Sequence, residues 1–176
     1  GNSKKIKGKD LSNMFEICRA ISCVANSIGT IFAVLGHSIG GMAAAFTLSG
    51  TGRVADYKFF AEKLILIGSP VTVPQVLENY SRNRDELNLL PELTQGLENA
   101  FNFKASAYDL SSALQNLDSK VMIIHDEQDE EVPVSDVLSL KNSYENIVLK
   151  LTKGYGHQKN LVNRAVLGSI KDFLVD

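Results

Sequence analysis

The apolar run Ile31 to Leu35 stops abruptly at Gly36-His37-Ser38-Ile39-Gly40-Gly41, and the chain resumes as the alanine-rich stretch Met42 to Leu48. No other segment constrains the fold as much. A short continuous apolar run reads as a strand buried on both faces, and alanine favours helix. The segment is therefore strand, sharp turn, helix, with Gly50 and Gly52 closing the helix. A serine at the tip of such a turn has its hydroxyl pushed above the sheet, and small residues at Gly36 and Gly40 let the backbone fold tightly around it. Ser38 then stands at a helix N-terminus, where the amide of Ile39 can donate to a developing oxyanion. The letters GxSxG alone are a weak signal, since a glycine-rich strand-to-helix turn without chemistry has the same ones; the setting is what strengthens them.

Three further apolar runs follow. They are Lys63 to Ile67, closed by Gly68-Ser69-Pro70, then Val121 to Ile124, closed by His125-Asp126, and finally Ile147 to Leu151, which alternates less cleanly. Continuous apolar strands separated by helical stretches predict an α/β domain whose parallel sheet is covered on both faces. Ahead of the first strand, apolar positions at three- and four-residue steps predict a helix over residues 10–28, capped by Asp10 or Ser12 and stopped by Gly29. A last helix is expected from Asn160 to Leu174. Residues 71–119 form an insert between the second and third strands, with helical stretches Gln75 to Arg84 and Glu92 to Phe103. Following a strand's C-terminal end, it lies above the sheet edge where open α/β sheets bind ligands. It reads as a small helical lid or as a plain surface excursion.

A serine hydroxyl needs a neighbouring base to become a nucleophile. The chain offers three histidines. His37 adjoins Ser38, so its side chain should point elsewhere, and His125 ends the third strand. His157 follows Gly154-Tyr155-Gly156, just past the last strand, which suits a loop presenting an imidazole over the sheet. The imidazole in turn needs a carboxylate to set its tautomer and stabilise its cation. The loop Asp126-Glu127-Gln128-Asp129-Glu130-Glu131 after the third strand supplies several, although so many acids in one loop ordinarily mean solvent exposure. The chain order is serine, acid, histidine.

GHSIGG, IIHDEQDEEVP and GYGH resemble the nucleophile turn, the acid loop (family form HGxxDxxVP) and the terminal histidine of the α/β-hydrolase superfamily. The resemblance extends over about residues 10–175, and the HDxxDxxVP form together with GSP is similar to a bacterial group of esterase-like hydrolases. It implies Ser38 as nucleophile, Asp129 as the acid before Val132-Pro133, and His157 as base. Asp126, standing where the superfamily more often has glycine, is the runner-up acid. The four runs resemble strands 5, 6, 7 and 8 of the family's sheet. The expected fold is therefore the parallel-sheet half of an α/β-hydrolase, with flanking helices and a short helical insert, as one truncated domain over 1–176. Strands 1 to 4 have no counterpart, and no residue can be assigned as second oxyanion donor. The strand Ile31–Leu35 would then be an open apolar edge, either pairing with a second copy as a homodimer or lying hidden under the first helix.

Composition narrows the remaining classes. Formal net charge is −2 and no basic stripe appears, which speaks against nucleic acid. Lys4, Lys5, Lys7 and Lys9 read as a solvated, partly disordered tail. No apolar run approaches the about 20 residues that span a bilayer. Cys18 and Cys23 have neither CxxC nor metal-ligand spacing and read as reduced thiols of a cytoplasmic protein. The expected activity is hydrolysis of small carboxylic esters or thioesters through an acyl-enzyme, with no metal or organic cofactor, and with activity rising through about pH 6–7. The alternative is a non-catalytic or partner-completed fragment serving as an interaction module.

Overall fold

The computed structural model describes residues 13–82 and 84–176. The first helix, α1 (Met14–Ile28), starts at Asn13, whose side chain accepts the Glu16 amide at 3.0 Å. That bond satisfies one of the orphan donors of the first turn. Asp10 and Ser12, the expected caps, and the lysine cluster lie outside the described residues. Gly29 ends α1 at φ 91°, as expected for a glycine stop. Then come β1 (Ile31–His37), α2 (Ile39–Ser49) and β2 (Ala61–Ile67).

The insert holds α3 (Val73–Arg82) and α4 (Leu90–Phe101), both anticipated. It also holds a short helix the periodicity did not show, α5 (Leu110–Leu114), capped by Asp109. Thr72 and Asp109 form an antiparallel bridge that closes the insert at its base. Tyr108, Leu110 and Ala113 are buried in the main core, so the end of the insert is core rather than cover. After β3 (Lys120–Asp126), α6 (Val134–Ser143) and β4 (Val148–Thr152), the helix expected from Asn160 to Leu174 starts later, and Asn160–Val162 form a separate 3-10 turn. A turn of helix, α7 (Gly156–Lys159), precedes α8 (Arg164–Val175). The break lies at Asn163, whose side chain accepts the amides of Ala165 and Val166 and so starts a new helix.

The sheet is parallel throughout, in the order β1-β2-β3-β4. Its alternation sorts residues to two faces. Leu64, Leu66, Val121 and Ile123 point into the larger core with α2, which is buried from Gly41 to Ser49. Ile65, Ile67, Met122 and Ile124 meet Val166, Ile170 and Phe173 of α8 on the other face. Lys63 is buried within β2, and its ammonium donates to the carbonyls of Phe173 and Leu174 at 2.8 and 3.0 Å. A cation thereby satisfies the C-terminal carbonyls of α8, which explains a lysine inside a buried strand.

Among the described residues, no strand pairs with the outer side of β1. The first helix does not hide that edge. It packs on α2 instead, leaving Phe32 and Leu35 46% and 50% exposed.

Candidate active site

The turn after β1 is strained. Ser38 has φ 54°, ψ −135°, a conformation costly for any residue with a Cβ. Surrounding bonds over-determine it. The Ser38 amide donates to the Ile67 carbonyl at 3.0 Å, and its own carbonyl accepts from Gly41 at 3.0 Å. Ile39 opens α2, so its amide has no intrahelical acceptor. The glycines divide differently from expectation. A Cβ on Gly36 would land 2.4 Å from the Gly41 Cα, and one on Gly41 would land 2.0 Å from the buried Ser69 hydroxyl. A Cβ on Gly40 would meet nothing within 4 Å. Close approach therefore demands Gly36 and Gly41; Gly40 is not crowded.

His157 lies on α7, buried, with Nδ1 2.9 Å from Asp129 Oδ2. The other oxygen of Asp129 accepts the amides of Glu131 and Val132, both at 2.9 Å. Buried His125 braces the same loop, its Nε2 donating to the Val132 carbonyl at 2.9 Å. Asp126, fully buried, is engaged elsewhere. It accepts the Gln128 amide at 3.0 Å, the Thr152 hydroxyl at 2.8 Å and the Tyr155 amide at 3.1 Å, tying the acid loop to β4 and to the segment carrying His157. His37 donates from Nε2 to the His157 carbonyl at 2.9 Å, and the two rings lie 4.7 Å apart.

These contacts set the charges. Burial alone would raise the Asp129 carboxyl, but hydrogen bonds from His157, Val132 and Glu131 outweigh it and hold the group below the ordinary carboxylate value. Burial opposes ionisation of Asp126 too, and bonds from Tyr155, Thr152 and Gln128 bring it below ordinary as well. The bond to Asp129 raises the His157 imidazole above its ordinary value, burial opposing and the Asp129 and Glu131 charges adding to the rise. The His157 ring therefore keeps its proton to a higher pH than an ordinary imidazole does.

Two features escaped the sequence reading. His157 Nε2 lies 3.6 Å from Glu131 Oε2, while the Ser38 hydroxyl has no hydrogen-bond partner among the described residues. Gly68, at φ 53°, backs the pair: a Cβ there would stand 3.3 Å from His157 Nδ1 and 3.4 Å from Asp129 Oδ2. The GSP signal after β2 marked a turn but not what the turn faces. Gly68→Ala is accordingly expected to shift the imidazole and lower ester turnover about 10- to 100-fold, since small misplacements of a reacting group are costly. Parallel thermal melts check that the fold survives.

No family model and no curated protein matches the chain. Solved structures do. The esterase Est2 from Thermogutta terrifontis, determined with butyrate bound, superposes with TM-score 0.62 at 17% identity, over 92% of this chain and 64% of that one. Est1E from Butyrivibrio proteoclasticus superposes with TM-score 0.61 at 15% identity, over 94% of this chain and 72% of that one. Est816, an N-acyl homoserine lactone degrading enzyme, reaches TM-score 0.64 at 15% identity, over 98% of this chain and 78% of that one. These likenesses establish the architecture, a parallel-sheet part of the fold shared by those proteins. The chain spans less than two thirds of the Thermogutta esterase.

Proposed function

Starting from that α/β-hydrolase fold, we propose that the chain is a serine hydrolase of small carboxylic esters or thioesters, with Ser38 as nucleophile, His157 as base and Asp129 as the acid that orients the base. One observation carries the reading: His157 and Asp129 are hydrogen-bonded at 2.9 Å over Gly68, which follows the strand beside the one that ends in the Ser38 turn. Est2 with butyrate and Est816 with its lactones support acyl–oxygen chemistry by analogy of fold.

In this reading the Ser38 oxygen attacks the substrate carbonyl carbon while His157 Nε2 takes its proton. The Ile39 amide donates to the oxygen that becomes negative. The tetrahedral intermediate expels the alcohol or thiol, which leaves with the proton from Nε2. Water, activated by the same nitrogen, then releases the acid and restores Ser38. Asp129 stays ionised and keeps the imidazolium in place. Neither a metal nor an organic cofactor enters these steps. Asp126 serves the loop and not the chemistry.

A fluorophosphonate probe tests the assignment. A competent Ser38 is labelled covalently and loses labelling when His157 is replaced. An intact, folded chain that stays unlabelled overturns it and favours the other reading, an interaction module.

No described helix is long and apolar enough to cross a membrane. The unbridged thiols of Cys18, buried, and Cys23, exposed, support a reducing, cytoplasmic setting. We also propose that two copies pair through β1. Among the described residues its outer edge is unpaired, Phe32 and Leu35 along it are exposed, and Ile31–His37 contains none of the lysine, acidic or proline residues that usually blunt an edge. Light scattering should give twice the chain mass, and Phe32→Lys should restore the single mass. A single-chain mass at every concentration tested rejects the pairing.

A further inference from the structure

The imidazole of His157 is bracketed by two carboxylates. Asp129 Oδ2 is 2.9 Å from Nδ1, and Glu131 Oε2 is 3.6 Å from Nε2. The second placement is built into the loop. Asp129 uses Oδ2 for the ring and Oδ1 for the Glu131 amide, so one carboxylate orients both the imidazole and the residue over its far nitrogen. From the other side the Asn79 side-chain amide of α3 donates to the Glu131 carbonyl, pinning the same backbone. The Glu131 side chain is itself 49% exposed and has room to swing outward.

The chemistry of the bracket is one-sided. With Nδ1–H committed to Asp129, a neutral ring presents a lone pair at Nε2, and a lone pair facing a carboxylate is repelled. The contact is favourable only when Nε2 carries a proton. In that arrangement the Nε2 proton faces Glu131, and the Ser38 hydroxyl makes no hydrogen bond among the described residues.

We propose that Glu131 is a proton-controlled latch on the general base: its carboxylate holds the protonated imidazole away from Ser38 and releases it when the Nε2 proton passes to solvent. Glu131 is thus a positioning residue that acts through His157. Resting on the hydrolase reading for its consequence in turnover, the latch is a property of the ring and its neighbours. The groups facing His157 are Asp129 and Glu131 from the acid loop and His37 from the end of β1; Glu130, Tyr155 and Lys159 line the same cleft. Glu131 is the one whose charge is tied to Nε2. The raised proton affinity of His157, to which Asp129 contributes most and Glu131 least, agrees with this order.

The test is Glu131→Gln in the full chain, beside Glu130→Gln, an exposed neighbour with the same change of charge. Two readouts are followed against pH: the His157 ring resonances by NMR, and kcat/KM on p-nitrophenyl acetate. Glu131→Gln is expected to move the His157 midpoint, and with it the acid limb of kcat/KM, about half a pH unit downward, which raises activity about threefold well below the midpoint. Added salt at about 0.5 M should move the wild type the same way and the variant much less. Glu130→Gln should shift either midpoint far less. An NMR midpoint that stays in place in folded Glu131→Gln, or that moves equally in Glu130→Gln, overturns the latch. Should neither protein turn over ester while the NMR midpoint still moves, the latch stands and the hydrolase reading falls.

Discussion

Ser38→Ala is expected to lower kcat on p-nitrophenyl acetate by about 10,000-fold or more. On the proposed chemistry the loss is this large because the hydroxyl oxygen is the atom that bonds the acyl carbon. His37, the nearest other nucleophile in sequence, has Nε2 occupied by the His157 carbonyl. The substitution should leave stability almost unchanged. The Ser38 hydroxyl makes no hydrogen bond among the described residues, and alanine suffers the same φ 54° strain as serine. Steady-state kinetics and a thermal melt separate the two effects. A variant that keeps wild-type turnover removes Ser38 from the chemistry altogether.

Asp129→Asn should cost about 10,000-fold in kcat for a different reason. The amide oxygen of asparagine can still accept from Glu131 and Val132, so the loop keeps its two bonds. The NH2 group then faces His157 Nδ1 and forces that nitrogen to accept. The neutral ring carries its proton on Nε2 instead, where it cannot take one from Ser38. Loss of the carboxylate also removes the main support of the imidazolium, so the His157 midpoint should fall. Retained folding by circular dichroism with lost turnover is the expected pair of results. Asp129→Ala should in addition destabilise the chain by about 1–3 kcal/mol, by leaving buried amides without an acceptor. Asp126→Asn offers the contrast: its carboxylate joins the acid loop to Thr152 and Tyr155, so stability should suffer more than the His157 midpoint. Were Asp126→Asn instead to reproduce the kinetics of Asp129→Asn, the acid would have been misassigned.

Local chemistry accounts for the parts that were legible from the chain alone. An apolar run, a glycine-flanked serine and an alanine-rich stretch each have one favourable conformation, so β1, the turn and α2 follow from neighbours in sequence. The other three strands announced themselves in the same way, and their contiguous parallel order was foreseen from the resemblance. What misled was also local. Asn163 interrupts the last helix because its side chain competes for backbone amides, and α5 was too short for periodicity to register. Gly40 has the motif's letter, but Gly41 has the crowded position, a distinction that requires knowing where Ser69 lies.

The sequence by itself determined that Ser38 would occupy a strained turn at a helix N-terminus, because the residues that impose that geometry are covalent neighbours. The resemblance put Asp129 ahead of Asp126 as the acid, but the spacing of the loop alone did not determine which carboxylate meets His157. Asp126 and Asp129 share one loop, and the choice depends on parallel pairing of β3 with β4, which brings Thr152 and Tyr155 to Asp126 and leaves Asp129 facing the imidazole. Only the tertiary structure set Glu131 against the far nitrogen and Gly68 behind the pair. Contacts across strands are decided by register and packing, and neither is written in the spacing of one loop.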